Sequence, residues 1–313
     1  MELYGLFLFA VGFLTMAMIY AVASLGVNVN WGFTGLFNVG VAGFFAVGAY
    51  SSAVLTAPES VNHIGGFGLP VPVGILAAMV LAALVAWPIG RICLRLRSDY
   101  LAIATIGIAE ILRLSFRNYQ PLGGGPFGVN NIPRPFESLP GPWDQIAFLL
   151  LVVAIVGVIL FLVQRAWAAP WGRVLRAIRE NEDAAEAAGK DVEKFRLQAF
   201  ILGSALMGLF GALMAHYVKI ISPEGTEPLL VTFLPWVMLI VGGAGNNKGA
   251  VLGAILVWGL WTMTELLTGR LPDEWALRVG YLRIFLIGLL LQVVLQKFPG
   301  GLLPERPPTV PRD

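Results

Sequence analysis

Glu110 and Arg113 stand three residues apart in a stretch otherwise rich in Ile, Leu and Ala. Residues at i and i+3 share a helix face, so this carboxylate and guanidinium are placed to pair. Glu110 lies 11 residues past Asp99, about 16 Å along a helix, and is the deepest acid of its apolar segment. An ionisable group at membrane depth is costly and usually has a reason. Two roles fit: an ion pair that locks helices together, or a part in gating or in a solute pathway, with proton coupling as its sharpest form. The remaining chemistry-bearing residues are sparse. His63 and His216 are far apart, with no Cys or acid at ligand spacing, so no metal is assigned. No Ser/His/Asp set points to catalysis either. Both histidines fall near outer helix ends, where solvated or interfacial roles are common. Cys93 is the single cysteine, which excludes an internal disulfide, and Arg91 and Arg95 beside it mark a cytoplasmic helix end. A phosphate-binding loop needs G-x-x-x-x-G-K-[ST]. Neither Gly242 to Gly249, with Lys248, nor Gly189-Lys190-Asp191 satisfies it.

A second concentration of chemistry is residues 172–194, GRVLRAIRENEDAAEAAGKDVEK. Ala and Glu are strong helix formers, and Gly189 is a natural C-cap. Val174, Leu175, Ile178 and Ala185 recur at helical spacing, flanked by Arg176, Arg179, Glu180 and Glu186, which predicts one short amphipathic helix over 172–189. Such a helix can lie in lipid headgroups, where Lys and Arg would be favoured opposite large apolar residues. Here Glu180, Glu182, Asp183 and Glu186 make the polar face acid-rich, which fits a protein partner better.

The elements that carry these residues follow from charge and hydropathy. The 313-residue chain is 57% hydrophobic and 13% charged, with mean hydropathy +0.77. Soluble domains carry about 25% charge, so lipid must act as a second solvent for this chain. Residues 3–58, 60–90, 145–164, 197–218 and 228–247 contain no Asp, Glu, Lys or Arg. A spanning helix needs roughly 20 mostly apolar residues. The predicted fold is all-α, a polytopic helical membrane protein of about nine (eight to ten) spans, near 4–26, 32–56, 69–91, 99–117, 143–165, 195–218, 229–243, 249–268 and 277–297. No separate soluble domain is visible: 1–313 reads as one transmembrane domain, with a cytoplasmic loop at 167–194 and a Pro-rich, extended cytoplasmic tail at 299–313. Arg91, Arg95, Arg97, seven basic residues in 165–196, Lys248, Lys297, Arg306 and Arg312 fall on one side of this topology, and positive-inside bias makes that side cytoplasmic. Net charge is +2, too small to suggest a nucleic-acid partner.

Polar and small residues within the spans mark where helices meet or a pathway runs. Gly35, Gly40, Gly43 and Gly48 are read in one span, Gly208 and Gly211 in another, and Gly249 and Gly253 in a third. Small residues let helices approach closely, or break where backbone lines a cavity. Thr34, Asn38 and Gly40 are the pathway candidates there, with Glu110, because the two polar groups stand among glycines where a solute or a neighbouring helix could bond them. Ser98 and Asp99 are expected to cap the following helix. Gly123-Gly124-Gly125 is expected to be a flexible outer loop.

Several segments together resemble the branched-chain amino acid permease family of ATP-driven (ABC) importers, LivM type. They are Asn28 to Gly40 (NVNWGFTGLFNVG), Ser98 to Gly107 (SDYLAIATIG), Gly123 to Val129 (GGGPFGV), Gly172 to Glu182 (GRVLRAIRENE) and Val241 to Gly245 (VGGAG), in order over nearly the whole chain. Asp183-Ala184-Ala185-Glu186-Ala187-Ala188-Gly189 resembles the EAA-xxx-G loop of ABC importer permeases, with Asp183 in place of Glu. The resemblance implies a permease subunit in a bacterial cytoplasmic (inner) membrane, with no cofactor or enzymatic activity of its own. It implies two ABC ATPase subunits, a second homologous permease and a periplasmic or extracellular solute-binding protein as partners. The ATPase-coupling residues would be Arg173, Arg176, Arg179, Glu182, Asp183, Ala184, Ala185 and Gly189. Branched-chain or related small amino acids are the implied solutes, with urea or amides as alternatives. A stand-alone secondary transporter, which would show more ionisable groups at depth, and a membrane enzyme or structural subunit are the competing classes.

Overall fold

The computed structural model describes residues 2–60, 64–268 and 273–305. Its helices, in chain order, are α1 (Glu2–Thr34), α2 (Val41–Thr56), α3 (Val71–Cys93), α4 (Ser98–Asn118), α5 (Gln120–Gly123), α6 (Trp143–Ala168), α7 (Pro170–Glu180), α8 (Glu182–Ala187), α9 (Val192–Val218), α10 (Leu234–Gly242), α11 (Asn247–Thr268) and α12 (Asp273–Lys297). A helix lies under each predicted span. Among the described residues, five apolar stretches, Tyr4–Thr34, Val71–Cys93, Trp143–Ala168, Val192–Val218 and Glu224–Gly242, combine the length and hydropathy of a membrane-spanning helix. His63 lies outside the described residues.

The bundle is built around α1 and α9. Helix α9 packs against α1, α2 and α3, while α1 also meets α6, α10 and α11. Residues 19–30 of α1 are buried all round, as for a helix enclosed by others. The outer helices bury one stripe only. In α3 the stripe is Gly74, Ala78, Ala82, Ala86, Gly90 and Cys93, small residues at a spacing of mostly four. Leu76, Val80, Leu84 and Trp87 are exposed on its other face, the pattern of a helix with lipid on one side and close helix packing on the other.

Glycine makes that close packing possible at particular points. A Cβ on Gly48 would overlap the backbone of Gly208, and one on Gly211 the carbonyl of Phe45. Gly242 and Gly249 meet in the same way, as do Gly253 and Met238. The predicted packing role of Gly208, Gly211, Gly249 and Gly253 therefore holds.

Two predicted spans are interrupted. The segment 32–56 is not one helix: α1 continues through 33 residues to Thr34, Gly35 turns with φ +71°, and residues 35–40 are non-helical before α2 starts at Val41. The segment 229–243 opens as a π-helical turn, Leu229–Phe233, and becomes α-helical from Leu234. Pro235 has no N–H to give the carbonyl four residues earlier, which favours the wider turn.

Three smaller expectations are corrected. Arg97 holds the cap position of α4 without a side-chain bond, and Ser98 and Asp99 lie inside its first turn, where Asp99 complements the helix dipole. Gly123–Gly125 is buried in a short helix and a 3₁₀ turn rather than a loose loop, and a side chain on Gly124 would overlap Gly128. His216 is fully buried, not solvated: Nε2 is 2.9 Å from Ser52 Oγ and Nδ1 2.7 Å from the Pro133 carbonyl. It ties α2 and α9 to the segment carrying the Val129–Ile221 bridge.

Gly48→Leu is expected to destabilise the bundle by about 1–3 kcal/mol or more, since overpacking against fixed backbone cannot relax by a rotamer change. Thermal melting in detergent checks this. Gly157→Leu, at a position with open space around it, should melt like the parent.

Candidate functional site

The polar segment forms an elbow, not one helix. Asn181 is extended (φ −157°, ψ 106°), ends α7, and caps α8 by accepting the Ala184 N–H on Oδ1 at 2.9 Å. Asn is a preferred N-cap residue, which is why a run of helix formers is cut there. Gly189 ends the elbow with φ +76°, while the Lys190 N–H reaches the Ala185 carbonyl at 3.1 Å. That bond and the left-handed glycine are the marks of a Schellman-type stop. Ile178, Ala185 and Val192 form a small core of their own, with Val174 and Phe195 packed on it. The elbow therefore folds as a unit between α6 and α9.

The eight candidate coupling residues divide between two faces. Ala185 is in the small core, and Arg176 and Arg179 point toward the bundle. The Arg176 guanidinium lies 4.5 Å from the Trp167 ring, which packs in turn, tilted by 33°, against Phe33 of α1 at 4.2 Å. Arg179 donates to the Gly32 carbonyl at the end of α1, and its second nitrogen meets Glu305 Oε2 at 2.7 Å. Glu182 pairs with Arg196 of α9 at 2.7 Å. Arg173, Asp183, Ala184 and Gly189 face outward, exposed. Arg173, Ala177, Glu180, Ala184 and Ala188 line an open groove of about 540 Å³ between the two arms of the elbow.

Residues that sequence reasoning did not single out complete this end of the molecule. Asn28 of α1, buried, accepts the Gly245 N–H at 2.8 Å and donates to Asn247 at 2.8 Å; Asn247 donates to Gln164 of α6 at 3.2 Å. Gly32 and Glu305 take the two arms of Arg179. An amide in a charge-free run was the available signal for Asn28; nothing local marks Glu305. The loop at 94–98, the elbow, the loop at 245–248 and residues 303–305 all gather here.

The pathway candidates fall into two places. Thr34, Asn38 and Gly40 meet at the break between α1 and α2. Thr34 Oγ1 donates to the Asn30 carbonyl. Asn38 Oδ1 accepts the Gly40 N–H at 2.9 Å, and its Nδ2 is 3.9 Å from Met207 Sδ. Thr105 of α4, also missed in the sequence, accepts the Val39 N–H at 3.1 Å, and Gly40 lets its backbone come close. The two irregular segments touch: the Ala42 N–H donates to Thr232 at 3.0 Å, and Phe37, Trp31 and Trp236 pack as a trio with centroids 4.9–5.7 Å apart. Glu110 does not join them. It is held in a fork by Arg113, with bonds of 2.9 and 2.6 Å, and the pair sits within α4, so it does not lock two helices together.

A bundle of long apolar helices, two of its segments broken, with buried polar amides and a polar elbow at one end, is the architecture of a multi-pass membrane protein. The profile of the family described as "Branched-chain amino acid transport system / permease component" matches residues 9–295. The chain belongs to this family of ABC transporter permeases. It is 33% identical to the high-affinity branched-chain amino acid transport system permease protein LivM of Escherichia coli K12, over 94% of this chain and 70% of the relative. The probable LivM of Methanocaldococcus jannaschii is 29% identical over 94% and 92%. The permease LivH of Salmonella typhimurium is 24% identical over 78% and 80%. No solved structure gives a significant match.

Asn181→Ala removes the cap of α8, worth about 1 kcal/mol. Amide exchange in Ala184–Ala187 should accelerate by about fivefold, with exchange in α9 unchanged, as read by mass spectrometry.

Proposed function

We propose that this chain forms half of the transmembrane pathway of a binding-protein-dependent importer for branched-chain or related small amino acids. Two ATPase subunits would bind at the elbow end, a second homologous permease would supply the other half of the pathway, and an extracytoplasmic binding protein would deliver solute to the opposite end. On this reading the elbow end and the C-terminus face the cytoplasm of a bacterial inner membrane, and the helices make about nine crossings. The observation that carries it is the groove between α7 and α8. Its walls carry Ala177, Ala184 and Ala188, small enough to admit another protein's side chains, with Arg173 and Glu180 at the rim for pairing. The relatives named as branched-chain amino acid permeases support the solute class.

In this scheme α7 and α8 receive the movement of the ATPase. Arg176, Arg179 and Ala185 fix the elbow to the bundle, while Arg173, Asp183, Ala184 and Gly189 meet the partner. The pathway runs past the Gly35–Gly40 and Leu229–Phe233 breaks, where irregular backbone is protected from lipid. Glu110 and Arg113 lie just past the middle of α4, on a flank that is partly open. An ion pair at such depth is better accommodated beside a water-filled or protein-covered space than in lipid.

The test is uptake by the reconstituted complex. Ala184→Trp leaves the exposed face but fills the groove, and is expected to cut ATP-dependent leucine uptake at least about tenfold and to weaken ATPase copurification, with unchanged melting of the chain itself. Full coupling in this variant would count against the docking surface. Urea, amides and nucleosides belong in the same assay, since a relative in Lactococcus lactis is named as a nucleoside permease.

A further inference from the structure

The chain beyond α12 folds back on the bundle. The N–H groups of Leu302 and Leu303 donate to the carbonyls of Val241 and Gly242, both at 2.9 Å, at the end of α10. Gly301 (φ +79°) and Gly243 (φ +120°) sit against each other so closely that a Cβ on Gly301 would overlap the Gly243 backbone. Asn246 Nδ2 adds a 3.4 Å contact to the Pro304 carbonyl. This strap delivers the Glu305 carboxylate to Arg179 at 2.7 Å, with both side chains about three-quarters buried.

The same guanidinium bonds the Gly32 carbonyl, one of the last four in α1 and so without a partner inside its own helix. Two residues further on, α1 gives way to the Gly35–Gly40 break. On its other side the strap grips the end of α10, the helix that begins at the π turn. Arg179 and Glu305 together therefore join the elbow to the helices that lead into both irregular segments.

We infer that Glu305 is a positioning residue for coupling: through the strap it holds Arg179 on Gly32, so that displacement of the elbow moves both breaks together. This rests on the importer reading. A planar guanidinium can serve a carboxylate and a carbonyl at once, whereas an ammonium has no such fork. Without the carboxylate, Arg179 keeps one anchor and can swing away from Gly32 with the elbow.

The test uses the complete complex, with ATPase subunits and binding protein, in proteoliposomes. Leucine uptake and ATP hydrolysis are measured together. Glu305→Ala is expected to lower leucine moved per ATP at least about threefold, and Glu305→Gln, which can still accept a bond from Arg179, to lower it less. The double variant Arg179→Lys with Glu305→Ala should be no worse than the poorer single variant. An unchanged ratio in Glu305→Ala, or effects that multiply in the double variant, overturns the inference. If Glu305→Ala does not accumulate, the Glu305→Gln ratio decides, and a value equal to the parent overturns it. If the unaltered complex shows no ATP-dependent uptake, the importer reading fails instead. The strap is then judged on the chain alone: Glu305→Ala should speed amide exchange in Gly32–Asn38 about threefold, and unchanged exchange overturns it.

Discussion

A helix that stops leaves its last carbonyls without donors inside the helix, and each must find one elsewhere. Helix α1 stops in this way at Thr34. Its final carbonyls are served by groups from several parts of the chain. The Trp31 carbonyl takes the N–H of Gly35, the Asn30 carbonyl takes the N–H of Leu36, and the Gly32 carbonyl takes Arg179 from the elbow. The cation also complements the negative end of the helix dipole. Because Arg179 belongs to α7, satisfying this helix end ties the polar segment to the membrane bundle. The end of α1, the position of the elbow and the path of the chain after α12 are thus one arrangement.

The residues that follow α1 obey the same constraint. The residues between α1 and α2 have their N–H groups bonded by Asn38 and Thr105, and the Ala42 N–H opening α2 goes to Thr232. The acceptors come from the break itself, from α4 and from the π turn, so the two irregular segments hold each other in place. Glycine permits this, since Gly40 and Gly43 bring α2 against Thr105 and Ala109 of α4. Rigid contact between glycine-rich helices on one side and shared bonds between breaks on the other leaves few independent ways to move.

Much of this was legible in the residues. Charge-free runs located the helices, because a missing charge over 20 residues is a local property. The glycines at 35 and 40 marked where a helix could break, but not what would hold the break, since its partners Thr105 and Thr232 are 66 and 190 residues from the groups they bond. Asn181 was hidden by strong helix formers on both sides. Its capping geometry competes with helix continuation, and the choice is settled by the packing of Ile178, Ala185 and Val192 across the elbow. Glu305 lies 126 residues from Arg179, in a Pro-rich stretch that composition alone reads as an extended tail. Asn28 showed its polarity in an apolar run, but not that it would bridge α1 to the loop after α10.

The orientation of the elbow bears on whether it meets lipid or protein. A helix lying in headgroups puts large apolar residues into the membrane and basic residues toward the anionic surface. Here the large apolar side chains are buried, Leu175 in the core of the bundle and Ile178 in the small core of the elbow. The outward surface carries Glu180, Glu182, Asp183 and Glu186 beside Arg173 and Lys190, among alanines. Anionic headgroups would repel those acids, and the alanines offer little apolar area for insertion. A protein surface with basic residues at the rim and side chains sized for the groove meets both conditions. The inward face is fixed by a guanidinium fork and by ring packing, and the outward face is small and charged. That combination supports the proposed docking of a protein partner at the elbow.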